Sequence, residues 1–447
     1  MRTVRVILFS FLGWLLFFSC KADHSFQGYL QKFASGYNSL NIPEMTYDYR
    51  DYFSTIPSEL ELEKQKKFFA GQKKELAQFD RSRLEHEEQI QFDHILYEIV
   101  FNLERVSLEG GWIAEGRKTP AGGLHGLRNA KEWYCFFIKR FCSLDLEPED
   151  IIKLGKGEVQ RVKKEMQVIQ AGLGFADSLA FYSELKKDTY FITDKEKLNQ
   201  AFARTDSTIR KHLTAFIGDI DIPEIYPMEW PQAGANTPPG IYLNRATNPY
   251  GKDVFQYNFY NKHYNRRAIE WLYMHEGIPG HHLQFSQRSS YSLDSLQKLS
   301  SYPGNFEGWA CYVEYEGKKL GLFSDPYSYY GKWEWDLVRS ARLVIDAGIH
   351  YYGWTREEAL DYWKKNIPNQ DDIAEREVTR VTNWTAQALS YKVGADCIME
   401  LKEELHKKYG NAFDEKKFHR CYLSFGMRPL AVIKKNIAAA YSLNLPK

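Results

Sequence analysis

The sequence has almost no net charge. Its 59 Lys+Arg balance 58 Asp+Glu over 447 residues, a formal charge of +1. Without a basic excess it lacks the electrostatic footprint of a nucleic-acid-binding protein, and no nucleic-acid partner is expected. It has no internal repeat and no low-complexity run, which argues against a repeat architecture. Cysteine is scarce, with six residues in all. Setting aside Cys20 leaves Cys135, Cys142, Cys311, Cys397 and Cys421, an odd number in a chain too large to need disulfide staples. Cys135 and Cys142 lie two helical turns apart, a rise of about 10 Å, which no disulfide spans. Buried free thiols are expected. After residue 18 no apolar run is long enough to cross a bilayer.

Apolar and aromatic side chains are abundant. Hydrophobic residues make up 44% and aromatics 15%, with 30 Tyr and 11 Trp. They supply an ample core and suit a cleft lined by Tyr and Trp. At roughly 100–200 residues per domain, the length suggests two or three lobes or one large domain.

The first residues read as a targeting segment. Arg2 and Arg5 precede the apolar run "VILFSFLGWLLFF", which ends at Ser19-Cys20. A basic stretch, an apolar stretch and a small residue describe a secretory signal at residues 1–19. A Cys directly after Ser19 is what a bacterial lipoprotein signal needs, so Cys20 is the expected lipidation site. Phe17 and Phe18 depart from the usual residues there, and a plain signal peptide or an uncleaved anchor are the alternatives. The lipoprotein reading makes the protein exported and bacterial, tethered to a membrane of the cell envelope through Cys20, on the periplasmic side or at the outer membrane.

Most of the chain reads as helix. "STIPSELELEKQKKFFAGQKKELAQF" carries Ser58-x-x-Glu61, a capping-box pattern before apolar residues at helical spacing. "DHILYEIVFNLERV" has the same period. "EPEDIIKLGKGEVQRVKKEMQVIQAGLG" opens with Pro148 in the first turn and stops at glycines. "TREEALDYWKKNIP" carries Thr355-x-x-Glu358 and ends at Pro368. "RPLAVIKKNIAAAYSL" closes the chain with another amphipathic helix. One stretch breaks the pattern: "GIYLN" and "VFQYNFY" alternate and read as two short strands joined by a turn. The fold class is therefore mainly α, with a small hairpin. A loose boundary near 220–240 separates an N-terminal helical lobe, residues 20–230, from a catalytic lobe, residues 231–447.

The most specific feature follows the hairpin directly. "HEGIPGHH", residues 275–282, holds three histidines and a glutamate. A zinc hydrolase needs three ligands, an open position for water and a base beside that water. The His-Glu-x-x-His helix supplies two ligands one turn apart, but here position 279 is proline. His275 and His281 are separated by about 600° of helical rotation, and His275 and His282 by about 10.5 Å of rise. Neither pair shares a metal on a straight helix. Pro279 and Gly280 supply a way out, because proline breaks the hydrogen-bond ladder and glycine tolerates unusual dihedrals. A bulge at 277–280 would bring one histidine back toward His275. The third ligand should be acidic and on a following helix. In "NFEGWACYVEYEGKKLG" Glu307 opens a buried stripe and needs a partner; Glu314 stands in reserve, and Glu316 reads as solvated.

At these residues the chain resembles the bacterial "domain of unknown function 885" family. The similar blocks are "HEGIPGHHLQ" (275–284), "FEGWACYVE" (306–314), "RSARLVIDAGIHYYGWTREEALDY" (339–362) and "QALSYKVG" (387–394). The N-terminal half resembles the family only loosely. Members are often lipoproteins and are related to zinc peptidases of the gluzincin type. The resemblance implies a mostly helical, two-lobed fold with an internal channel. It also implies one zinc ion on His275, His281 and Glu307, with Glu276 as general base. Thr385-Ala386 departs from the Pro-Gly usual before the last block.

Other residues are candidates on their own chemistry. His350 ends a helix and could stabilise an oxyanion, oriented by Asp346; a helix-terminal His is also favoured there by the dipole. Tyr391 could polarise a scissile carbonyl, and Lys392 beside it could reach the cleft. Arg339 and Arg342 could bind a substrate carboxylate or serve structural ion pairs. The hairpin's edge could pair with an extended peptide. Together these readings predict an exported zinc hydrolase that cleaves short peptides. A non-catalytic metal-binding scaffold and a zinc hydrolase of a non-peptide amide or ester are the rivals.

Overall fold

The computed structural model describes residues 25–287 and 295–443. The signal segment 1–19 and Cys20 lie outside the described residues. The chain is 69% helical with 4% strand, so it is mainly α. No described helix is long and apolar enough to cross a membrane.

The helices begin where capping chemistry places them. Ser58 accepts a hydrogen bond from the Glu61 N–H and starts the helix Glu59–Leu76. Thr355 and Glu358 form a full capping box before Arg356–Asn366. Pro148 opens Pro148–Gly172, and the last long helix is Leu430–Ser442. These elements satisfy N–H groups that a helix start otherwise leaves open.

Apolar residues from both sides of position 230 pack together. One cluster joins Phe202 and Ile209 to Trp309 and Tyr312. A second joins Phe137 to Leu343 and Leu389, and a third joins Val162 to Leu337. The helix Pro148–Gly172 runs along Pro326–His350, and the approach is close at Gly155, where a Cβ would stand 2.7 Å from the Val344 side chain. Cys142, Cys311, Cys397 and Cys421 are buried free thiols, and Cys135 is a half-buried one.

Two glycines fix the helix pair that carries much of the site. Pro303–Tyr315 packs on Leu389–Tyr409, and a Cβ on Gly308 would lie 2.6 Å from the Gly394 backbone. The two backbones touch there because neither residue has a side chain. Glu307 and Tyr391 stand beside this contact, so both are held by the same close approach.

The expected hairpin is part of a larger sheet. Gly240–Leu243 pairs antiparallel with Val254–Tyr257. A third strand, Tyr226–Glu229, pairs in parallel on the other side, so Gly240–Leu243 is an edge strand. A ten-residue loop, not a tight turn, joins the hairpin strands, and the second strand stops at Tyr257. The sequence does not announce Tyr226–Glu229, because Pro227 removes a ladder donor and the strand is only four residues long. A proline is tolerated there because this strand is itself at an edge.

Candidate metal centre

The helix Ile269–Glu276 ends at the motif, and a new one, His281–Gln287, begins five residues later. The chain turns sharply between them, through a cis Ile278–Pro279 bond. Gly280 lies against the end of the first helix. Its N–H donates to the Met274 carbonyl at 3.0 Å, and a Cβ on it would stand 2.1 Å from the His275 carbonyl oxygen. The Trp309 indole closes the turn with a 2.8 Å hydrogen bond to the Pro279 carbonyl. The break expected at 277–280 is therefore present.

The turn separates the two candidate histidines. His281 faces His275, with ring centroids 4.8 Å apart. His282 faces the other way and hydrogen-bonds the Pro223 carbonyl through Nε2 at 2.8 Å. Glu307 Oε2 lies 3.4 Å from His275 Nε2 and 3.3 Å from His281 Nε2. All three ligand atoms lie within 4.8 Å of one another.

These distances suit a metal. Ligand atoms at about 2.0–2.2 Å from a tetrahedral zinc stand about 3.3–3.6 Å from one another. Two imidazoles and a carboxylate, with room for a fourth position, form a usual catalytic donor set. Glu307 Oε2, the oxygen nearest both Nε2 atoms, is buried without a hydrogen-bond partner among the described residues. The electrostatics agree. Burial pushes the Glu307 carboxyl up, but His275 and His281 beside it outweigh burial and hold it well below the usual carboxylate range. Burial works against a proton on His275, but Cys311, Glu307 and Glu314 around it hold that proton well above the usual range. The carboxylates of the cluster thus favour a positive charge at the point where a cation would sit.

Glu314 supports the centre from behind. Its Oε1 is 2.8 Å from His275 Nδ1, and its Oε2 accepts from Arg339 at 2.7 Å. It orients the ring and keeps Nε2 free for the cluster. Glu307 and Glu314 are seven residues apart, two turns on one face, so the first reaches one nitrogen of His275 and the second the other. A second group, His275, Cys311 and Glu314, also converges, but burial raises the Cys311 thiol pKa and Arg339 already holds Glu314. If the cluster holds zinc, Glu314→Gln should weaken its binding about 10- to 100-fold, measured by competition with a chelator, because such partners orient and strengthen the ligating ring. Unchanged affinity would remove Glu314 from this role.

A cleft of about 910 Å³ opens over the cluster. Its walls include His275, Glu276, His281, Glu307 and Tyr391. The edge strand lies along one side, and the Tyr242 N–H donates to Glu276 Oε2 at 2.8 Å. Alternate residues of an edge strand turn their backbone groups outward, so Gly240 points the same way as Tyr242. The Tyr391 ring stacks on His275 at 6.2 Å. Burial and the Glu307 charge raise its pKa, so its hydroxyl keeps its proton.

Several candidates lie elsewhere. His350 is fully buried outside the cleft. Its Nδ1 accepts from the Leu124 N–H at 3.3 Å, and its Nε2 donates to the Val381 carbonyl at 2.9 Å. Burial pushes it down to about 4, so it is a neutral packing histidine, not an oxyanion donor. Asp346 does not orient it; it accepts from the Tyr134 hydroxyl at 2.7 Å and from the Ala386 N–H. Lys392 is buried against Asp336 at 2.8 Å, away from the cleft. Glu316 is buried and paired with Lys319 and Lys402, not solvated. Arg339 and Arg342 both line the cleft, but Glu314 engages the first and Glu377 the second. At the Thr385-Ala386 departure, Ala386 adopts φ +60°, a left-handed conformation that glycine enters more easily.

The fold and site thus describe a mainly α protein with a His–His–Glu cluster, its histidines buried and its glutamate half-buried, in the wall of a cleft. The chain belongs to the family described as bacterial protein of unknown function (DUF885), whose model matches residues 108–437. The match contains all four motif blocks and extends well into the N-terminal half. A solved structure from Colwellia psychrerythraea, described as a "putative lipoprotein", is similar over 93% of this chain and 76% of its own, at 20% identity and a TM-score of 0.66. One from Shewanella oneidensis, a "putative lipoprotein of unknown function", covers 92% of this chain and 81% of its own, at 18% identity and a TM-score of 0.61. At these identities the likeness shows the fold. No curated protein matches.

Proposed function

We propose that the protein is an exported zinc-dependent peptidase acting on short peptides. The observation that carries this reading is the convergence of His275, His281 and Glu307 beside Glu276, under an edge strand in a cleft of peptide-sized volume. His275, His281 and Glu307 would hold one zinc ion. When bound, that ion supplies Lewis acidity, lowering the pKa of a water and polarising a carbonyl.

The chain's own residues do the rest. Glu276 holds one oxygen against the Tyr242 N–H and has the other available to take a proton from water and deliver it to the leaving nitrogen. The Tyr391 hydroxyl donates to the carbonyl oxygen as charge grows on it. With the Tyr242 N–H held by Glu276, the Gly240 backbone groups and the Tyr242 carbonyl would align an extended substrate, a mode that suits a peptide better than an ester. The intact Glu276 favours catalysis over a scaffold, because a structural zinc needs no base. Digestion of a mixture of short peptides by zinc-loaded protein and by its Glu276→Gln variant tests the reading. Peptides left intact by the zinc-loaded wild type would favour the scaffold.

The anchor is part of the same proposal. The Ser19-Cys20 junction and the description of the two similar structures as "putative" lipoproteins support it. Cys20→Ser should move the protein from the membrane fraction to the soluble one. Equal partition of wild type and variant would exclude lipidation at Cys20.

A further inference from the structure

The cleft wall formed by Ala374–Asn383 carries an uneven set of charges. Arg376 and Arg380 lie one turn apart on this helix, and Arg342 faces them from Pro326–His350. Three guanidinium groups therefore stand around one buried carboxylate, Glu377, and two of them, those of Arg342 and Arg376, contact it. Both of its oxygens are taken: Oε2 accepts from Arg342 Nε at 2.8 Å, and Oε1 from Arg376 at 2.9 Å. Of the other carboxylates near these arginines, Glu314 pairs with Arg339 and Glu375 with Arg356.

Arg380 has no carboxylate partner among the described residues. Its terminal nitrogen donates only to neutral acceptors, Gln387 Oε1 at 2.9 Å and the Tyr391 hydroxyl at 3.1 Å. Its Nε is buried and makes no hydrogen bond. Its guanidinium lies over the Trp384 ring at 5.2 Å and the Tyr391 ring at 5.6 Å. Burial works against this cation, but nearby charges, Glu377 and Glu307 among them, outweigh it and keep it charged; among the described residues no carboxylate meets its fork in a direct contact. A guanidinium fork also matches a carboxylate in a bidentate manner. Its position adds meaning. Tyr391 touches Arg380 with its hydroxyl and stacks on His275 with its ring, so one side chain separates this cation from the metal cluster.

We infer that Arg380 anchors the free carboxylate at the end of a peptide, so that the bond presented to the cluster is the one nearest the C-terminus. The inference rests on the peptidase reading and narrows it to a carboxypeptidase of short peptides. Arg342 and Arg376 contribute by saturating Glu377, which leaves Arg380 for the substrate. Trp384 covers one face of the guanidinium and limits its exposure to water.

The test compares one pool of N-acetylated short peptides made as free acids with the same pool made as C-terminal amides. Zinc-loaded wild type should release the last residue of the acids. It should cut the amides about 10- to 100-fold more slowly, the worth of a charge-assisted pair. Arg380→Gln should erase the difference, whereas an Arg380 that merely positions the Tyr391 hydroxyl would slow both pools alike. Equal rates for acids and amides, a preference that survives Arg380→Gln, or cuts confined to internal bonds would overturn the inference. A second arm measures binding of both pools to Glu276→Gln protein by calorimetry. Preferential binding of acids, lost in the double variant with Arg380→Gln, supports the anchor even if the wild type cleaves nothing, an outcome that would sink only the peptidase reading. Binding of neither pool overturns the anchor.

Discussion

His281→Ala should empty the protein of zinc, while His282→Ala should leave zinc bound. Two adjacent histidines, alike in sequence, are expected to differ by the whole metal site. The reason is the turn at 277–280: His281 is directed at Glu307 and His275, and His282 at the Pro223 carbonyl. Each ligand of a zinc site carries on the order of 3 kcal/mol of an apparent 10–16 kcal/mol, so losing one lowers affinity by about 10² or more. His282→Ala removes a buried ring and its hydrogen bond, and its cost should appear as lowered thermal stability. Elemental analysis of the gel-filtered variants measures the outcome. Zinc retained by His281→Ala, or lost from His282→Ala alone, would reverse the ligand assignment. Wild-type protein that takes up no zinc after reconstitution would end the zinc reading.

Glu276→Gln should lower kcat/KM for peptide cleavage by about 10²–10⁴, the usual contribution of a positioned general base, with zinc content unchanged. The substitution isolates one property. A glutamine carbonyl still accepts the hydrogen bond from the Tyr242 N–H that Glu276 accepts at 2.8 Å, so the side chain stays in place. It cannot take a proton. Because Glu276 is not among the three converging ligand residues, metal binding provides the internal control. Full activity in a zinc-loaded Glu276→Gln protein would show that the proton goes elsewhere. Loss of zinc along with activity would place Glu276 in the coordination set.

The local elements were legible because their causes are local. Ser58, Pro148 and Thr355 mark helix starts by bonds or dihedrals made within a few residues. The break within the motif was also legible, since Pro279 and Gly280 act on their own backbone. Glu307 was reachable as an acidic residue opening a buried stripe. The arginines were not. For Arg339 and Arg342 the sequence leaves a substrate role and an ion pair open, and only Glu314 and Glu377, brought beside them by the fold, decide for the ion pair. Nothing local singles out Arg380, although Arg376, Arg380, Asn383 and Trp384 follow i, i+4, i+7 and i+8, and all four line the cleft. The choice between the two readings of His350 is hidden for the same reason: its neighbours Leu124, Val381 and Thr385 are distant in sequence.

The sequence by itself determined a mainly α chain, a hairpin before a histidine motif and the motif's break, all through interactions within one element. Only the tertiary structure decided that His281 and not His282 meets His275, that Glu314 sits behind His275 rather than beside Glu307, and that Arg380 is the arginine left without a carboxylate. The physical reason is common to all three. Direction across a sharp turn depends on what the turn packs against, and the pairing of charges depends on which distant helices share a wall. Neither quantity is carried by spacing along the chain.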